Sequence, residues 1–222
     1  MSNNAHGIFI TLEGGEGAGK SSLLESLFTY FKGLGFDVLK TREPGGGELA
    51  DNIRKILLNP ELKEKLCARS ELFLFLAARA QHVNDVIIPA LADGKVVICD
   101  RFHDSTLAYQ GMARGLGFTQ VDQLCKFSSQ GLMPELTLFL DIDPMTGLQR
   151  ASKTPKDGLK GLDRIELEET AFHECVRRGF LLLQERSPKR IITIDATMSQ
   201  ESVFEAAKLA IEKGLSHKLS LS

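Results

Sequence analysis

The stretch Gly14-Gly15-Glu16-Gly17-Ala18-Gly19-Lys20-Ser21 decides the fold. It fits the pattern G-x-x-x-x-G-K-[ST] in the context that pattern requires, with an apolar run at 8–13 before it and a helical pattern at 20–34 after it. Glycines let the chain wrap so tightly that successive backbone N–H groups converge on phosphate oxygens, and the following helix adds its positive dipole end. Lys20 is placed to reach the β- and γ-phosphates of a nucleoside triphosphate, and the Ser21 hydroxyl to ligate Mg2+. Gly14, Gly15, Glu16, Gly17, Ala18, Gly19 and Ser22 complete the expected ATP-binding loop. Such a loop identifies a nucleotide and leaves the function open.

Outward from the loop, five short runs rich in β-branched and apolar residues read as strands: 8–13, 37–41, 95–99, 136–141 and 190–194. Most are continuously apolar, as suits strands covered on both faces. Helical spacing marks 20–34, 68–92, 122–130, 144–152, 165–185 and 200–213, and Pro89 inside the longest of these either starts its last turn or breaks it. Strands alternating with helices of this length predict crossover units and a mostly parallel, three-layer α/β sheet. The Gly-rich segment 43–47 must be a loop, and 153–161, polar and broken by Gly and Pro, reads as a surface flap.

With 222 residues, 43% of them hydrophobic and 25% charged, the chain predicts one domain with a sizeable core. Its 29 acidic and 27 basic residues balance to a net charge of −2, which argues against coating nucleic acid or an anionic membrane. No apolar run approaches the roughly 18 residues of a membrane span, and the first residues lack the features of a secretory leader. A soluble cytoplasmic protein is expected. Cys67, Cys99, Cys125 and Cys175 are widely spaced and read as buried free thiols.

The third strand ends in Asp100-Arg101, at the carboxyl edge of the sheet where ligands sit in open α/β folds. Asp100 is placed to hold Mg2+ through water, and Arg101 to bind a phosphate lying across from the loop. Arg42, at the end of the second strand, can approach the same phosphate. A switch GTPase would need an Asn-Lys-x-Asp motif, which the sequence lacks. A deoxynucleoside kinase, with Glu13 or Glu43 as base, stays open, as do another monophosphate kinase and a non-catalytic nucleotide-binding module.

Thr41-Arg42-Glu43-Pro44-Gly45-Gly46, Phe75-Leu76-Ala77-Ala78-Arg79 and the run from Asp100 through Ser105, Thr106, Tyr109 and Gln110 to Gly111 resemble the signatures of bacterial thymidylate kinases. Leu162-Asp163-Arg164-Ile165-Glu166 and Ile194-Asp195-Ala196 are similar to later motifs of that family. The resemblance implies a P-loop nucleoside-monophosphate kinase fold: a five-stranded parallel sheet ringed by helices, with a mobile lid at about 150–164. It implies ATP and dTMP as substrates, Mg2+ as cofactor, and a homodimer. Phe75 would stack on thymine and Arg79 would bond its carbonyl, with Ser105, Thr106 and Gln110 on the substrate side. Tyr109 would press on the sugar where a ribose hydroxyl would be, Glu16 would accept from the 3′-hydroxyl, and Arg54 would sit near the acceptor. Gly17 stands where another class of the family has a catalytic arginine, so lid cations would supply that charge: Arg150 and Arg164 first, then Lys153, Lys156 and Lys160. Lysine cannot reproduce the planar two-bond grip of arginine.

Overall fold

The computed structural model describes residues 7–153 and 162–219. Strand β1 (Ile8–Gly14) leads through the phosphate loop into α1 (Lys20–Gly33), followed by β2 (Val38–Arg42) and α2 (Glu48–Leu58). Helix α3 (Ala68–His82) runs through a π-helical turn (Val83–Ile87) into α4 (Ile88–Ala92) and then β3 (Val96–Asp100). Next come α5 (His103–Thr106), a second π-helical segment (Leu107–Ala113), α6 (Phe118–Ser128), β4 (Leu136–Asp141) and α7 (Pro144–Lys153). Helix α8 (Thr170–Arg186), β5 (Ile191–Asp195) and α9 (Gln200–Leu219) complete the described chain.

All five strands pair in parallel in the order β2-β3-β1-β4-β5. The three inner strands are almost wholly buried, whereas the edge strands β2 and β5 mix buried and exposed residues. Alternation along β1 divides the molecule. Ile8, Ile10 and Leu12 face α1 and α9, packing with Leu27, Phe31, Ala207 and Ile211. Phe9 faces the other layer with Val83, Ile87, Val97 and Phe102, and the same parity sends Glu13 to that side.

Pro89 starts the last turn of the long helix, one of the two roles its position allows: the Ile88 N–H bonds the Val83 carbonyl, and Pro89 opens the first turn of α4. Proline has no N–H to donate, so the change of pairing falls where a donor is missing. Two expectations are corrected. The helix expected from residue 165 begins at Thr170. Before it, Asp163 Oδ1 accepts from the Ile165 and Glu166 N–H groups while Glu166 Oε2 accepts from the Asp163 N–H, a reciprocal box that starts a turn without propagating it. Of the four cysteines, only Cys99 and Cys125 are buried; Cys67 is exposed and Cys175 intermediate.

Helix α8 packs closely on the π-helical segment because Gly179 lets it. A Cβ there would lie 2.9 Å from Ala108 Cα and 3.1 Å from Ala108 Cβ. Gly179→Ala is therefore expected to destabilise the fold by about 1–3 kcal/mol, the usual cost of overpacking, despite alanine's better helix propensity. Urea unfolding checks this, and a stabilised variant would show that the contact yields freely.

Candidate active site

The phosphate loop closes through backbone conformations that favour glycine, with φ of +143° at Gly14, +64° at Gly17 and +90° at Gly19. Lys20 is buried and its Nζ donates to the Gly14 and Gly15 carbonyls at 3.2 and 2.8 Å. Burial, then the neighbouring Arg101, lower its pKa against the pull of Asp100, Glu16 and Glu13. Ser21 and Ser22 are exposed on the first turn of α1. Helix α7 lies directly on the loop: a Cβ on Gly147 would come within 2.3 Å of the Glu16 carbonyl, and one on Gly17 within 1.9 Å of the Gly147 carbonyl. Outside the loop is an open cleft bounded by Gly17–Gly19, Ser22, Arg150 and residues of the segment 196–200.

Arg101 turns the chain out of β3 with φ +69°, a conformation disfavoured for a side chain of its size. Glu13, reaching across from β1, holds that turn. Its two oxygens accept from the Phe102 N–H and the Ser105 hydroxyl. Burial, aided by Asp104, raises the Glu13 carboxyl to about 7. The Arg101 guanidinium donates to the Gly14 carbonyl and to Glu16 Oε1, both at 2.8 Å, and lies 5.1 Å from the Tyr109 ring centroid. The Tyr109 hydroxyl donates to the same Glu16 oxygen at 2.7 Å. Burial pushes the Glu16 pKa upward, but Arg101, Lys20 and that hydroxyl outweigh it and bring it down to about 2.

Beside Arg101 is a second cavity. Glu16, Arg54, Phe75, Arg79, Arg101, Ser105, Thr106, Tyr109 and Gln110 all line it, although they come from the loop, α2, α3 and the chain after β3. Phe75 is half-buried with its ring at the cavity, not sealed in the core. Arg79 is only 2% exposed; its Nε donates to Glu43 at 2.7 Å and an Nη to Thr106 at 2.9 Å. Burial opposes the ionised form of Glu43, but Arg79 and His82 outweigh it and lower its pKa. Arg54 donates to the Pro44 carbonyl. Arg42 is the member that the structure leaves apart: it is exposed and does not line the cavity.

The lid residues take separate places. Arg150 lines the cleft outside the loop and donates to the Ala196 carbonyl at 2.8 Å. Arg164 donates to Glu71 and to the Leu57 carbonyl, both at 2.7 Å, so in this structure its guanidinium is turned to α3 and α2. A carboxylate as buried as Glu71 demands such partners. Lys153 is exposed at the end of α7, and Lys156 and Lys160 lie outside the described residues.

Sequence reasoning passed over Leu58, Phe102, Asp163 and Ile165 as cavity walls, and Pro44, whose peptide bond to Glu43 is cis. A Gly-rich stretch at a strand end signals a loop without saying which side chains it turns inward. It also passed over Glu71, which accepts from Gln110, Arg114 and Arg164. On sequence it is one more acidic residue early in a helix.

No group of three or more metal-ligating side chains occurs among the described residues. One carboxylate oxygen nevertheless stands ready: Asp100 Oδ1 is buried without a hydrogen-bond partner. A hard cation that takes most of its oxygens from phosphate and water fits a site with one such carboxylate and a loop hydroxyl.

Two cavities meeting at a phosphate loop, with an arginine bonded to the loop and lining the second, define a P-loop nucleotide kinase. Comparison with known proteins narrows the class. The thymidylate kinase family model matches residues 12–207. A thymidylate kinase of Protochlamydia amoebophila is 50% identical over 209 residues, covering 93% of each chain. One from Anoxybacillus flavithermus is 46% identical over 205 residues, covering 92% of this chain and 96% of its own. The crystal structure of thymidylate kinase from Ehrlichia chaffeensis superposes with a TM-score of 0.72 at 31% identity, covering 91% of this chain and 98% of that one. The chain belongs to the thymidylate kinase family.

Glu16 is held near 2 against an ordinary 4.5, so folding favours its ionised form. Its contribution to stability is complete above about pH 5 and is lost as the pH falls through the native value. The stability difference between wild type and Glu16→Gln should therefore be constant above pH 5 and shrink towards pH 2. Chemical unfolding at several pH values checks this; a difference unchanged down to pH 2 would count against the ionised Glu16–Arg101 pair.

Proposed function

We propose that the chain transfers the γ-phosphoryl group of ATP to dTMP, giving ADP and dTDP, and that the residues assembled around the two cavities perform it. One observation carries the assignment of sites: the Arg101 guanidinium bonds the phosphate loop while lining the second cavity, so it lies where a donor and an acceptor phosphate meet. ATP lies along the loop with its base towards the cleft that Arg150 borders. dTMP enters the second cavity, with thymine on Phe75 and its edge towards Arg79, Thr106 and Gln110. Tyr109, tied to Glu16, leaves little room beside the sugar, which favours a deoxyribose, and ionised Glu16 accepts from the 3′-hydroxyl.

The acceptor phosphate, with a second pKa of about 6, is already dianionic at neutral pH and needs no protein base. This fits the carboxylates. Glu13 is fully enclosed with both oxygens engaged, and Glu43 is spanned by Arg79 and His82. Neither is free to deprotonate a sugar hydroxyl, which speaks against the deoxynucleoside kinase reading. Lys20 and Arg101 neutralise and align the transferring oxygens, the main work in phosphoryl transfer. Asp100 and Ser21 would hold Mg2+, which would supply positive charge to neutralise the nucleotide phosphates. Arg54 adds positive field in the second cavity, and Arg150 steadies the donor nucleotide. Arg164 anchors the far end of the lid, and Lys153 adds charge at its start.

The same reading places the enzyme in the cytoplasm as one domain that forms a homodimer. No helix among the described residues is long and apolar enough to cross a membrane. Phe73 on α3 and Leu49 and Ile56 on α2 expose 58, 51 and 45% of their surface, apolar area suited to a second copy.

ADP release with ATP and Mg2+ should be much faster with dTMP than with UMP or thymidine, and slower with dUMP; thymidine outpacing dTMP would overturn the acceptor-phosphate role of Arg101. Arg101→Lys should lose about 10²-fold in kcat/KM, since an ammonium cannot bond loop and phosphate in one plane. Asp100→Asn should raise the Mg2+ concentration needed for half-maximal rate, as read by metal titration.

A further inference from the structure

Glu71, on α3, is 1% exposed and outside the walls of either nucleotide cavity, yet it gathers three donors. Gln110 Nε2 reaches its Oε1 at 2.9 Å; Arg114 spans both oxygens at 3.0 Å; Arg164 reaches Oε2 at 2.7 Å. Arg114 is also paired to Glu168 at 2.7 Å. We propose that Glu71 is a positioning residue that fixes which end of the Gln110 amide meets the acceptor base, and so selects a pyrimidine with a 4-oxo group and an N3–H over one with a 4-amino group.

The chemistry is one of polarity. Burial opposes the ionised form of Glu71, but Arg114, Gln110 and Arg164 outweigh it and lower its pKa. An ionised carboxylate only accepts, so the Gln110 nitrogen must face Glu71. The amide oxygen is then the end left for the cavity that Gln110 lines. Arg79, on the same wall, can only donate. A donor beside an acceptor complements the O4 and N3–H of thymine, whereas the N4 amino group and bare N3 of cytosine present the opposite order. Glutamine alone would not discriminate, because its amide turns over at little cost; the carboxylate behind it removes that freedom.

This inference rests on the dTMP kinase reading and deepens it. In Glu71→Gln, Arg164 and Arg114 draw the new amide oxygen towards the Oε2 position, so its nitrogen meets Gln110 and turns that amide over. The ratio of kcat/KM for dTMP to that for dCMP should fall at least tenfold, mostly through KM for dTMP, with kcat at saturating dTMP little changed. In a Gln110→Leu background the same Glu71 substitution should leave the ratio unmoved, because the amide that carries the effect is gone. Glu71→Asp, which keeps an acceptor-only group, should hold the ratio near wild type and supplies the comparison if Glu71→Gln does not accumulate. An unchanged ratio in Glu71→Gln, the same drop in both backgrounds, or a collapsed ratio in Glu71→Asp would overturn the proposal. Wild type that fails to phosphorylate dTMP would instead overturn the underlying reading.

Discussion

Arg101 bonds the Gly14 carbonyl of the phosphate loop and the Glu16 carboxylate with one guanidinium, and the whole site is arranged around that bond pair. The residue occupies a left-handed conformation that a long side chain does not adopt without help. The help comes from Glu13, a carboxylate sealed inside the sheet and spanning the next turn by Phe102 and Ser105. Keeping a carboxyl there is costly, as its elevated pKa records. On the proposed reading, the return is a cation fixed beside the phosphate loop before any ligand arrives, which leaves little reorganisation for the moment of reaction.

The same economy recurs in the cavity wall. Arg79 is held by Glu43, which His82 holds in turn, and the His82 ring meets Thr41 on β2 at 2.6 Å. The chain of contacts that backs Arg79 thus ends on His82 of α3 and Thr41 of β2. Such backing turns flexible side chains into fixed elements of recognition.

Much of this was legible in the sequence. The loop motif, the strand lengths and the order of the family signatures led directly to a five-stranded parallel sheet and to most residues that line the second cavity. What escaped notice was of two kinds. Irregular backbone gave no periodic signal: the two π-helical segments and the turn at 163–169 depend on local hydrogen-bond pairing, not on hydrophobic spacing. Residues acting through others were hidden as well. Glu71 and Glu13 differ from ordinary surface acids only in where the fold buries them. Arg42 shows the reverse case, a side chain whose sequence position promised the cavity but whose place is at an exposed strand end.

Gly17 and Gly147 touch so closely that neither tolerates a side chain while the other's backbone stays put. They belong to different elements far apart in the chain, yet they change as one unit. A side chain entering at Gly17 would push α7 off its seat, and one entering at Gly147 would push the loop off its own, so a single substitution at either position leaves the pair badly fitted. The shape of the loop is thereby a property of the helix lying on it as much as of its own glycines.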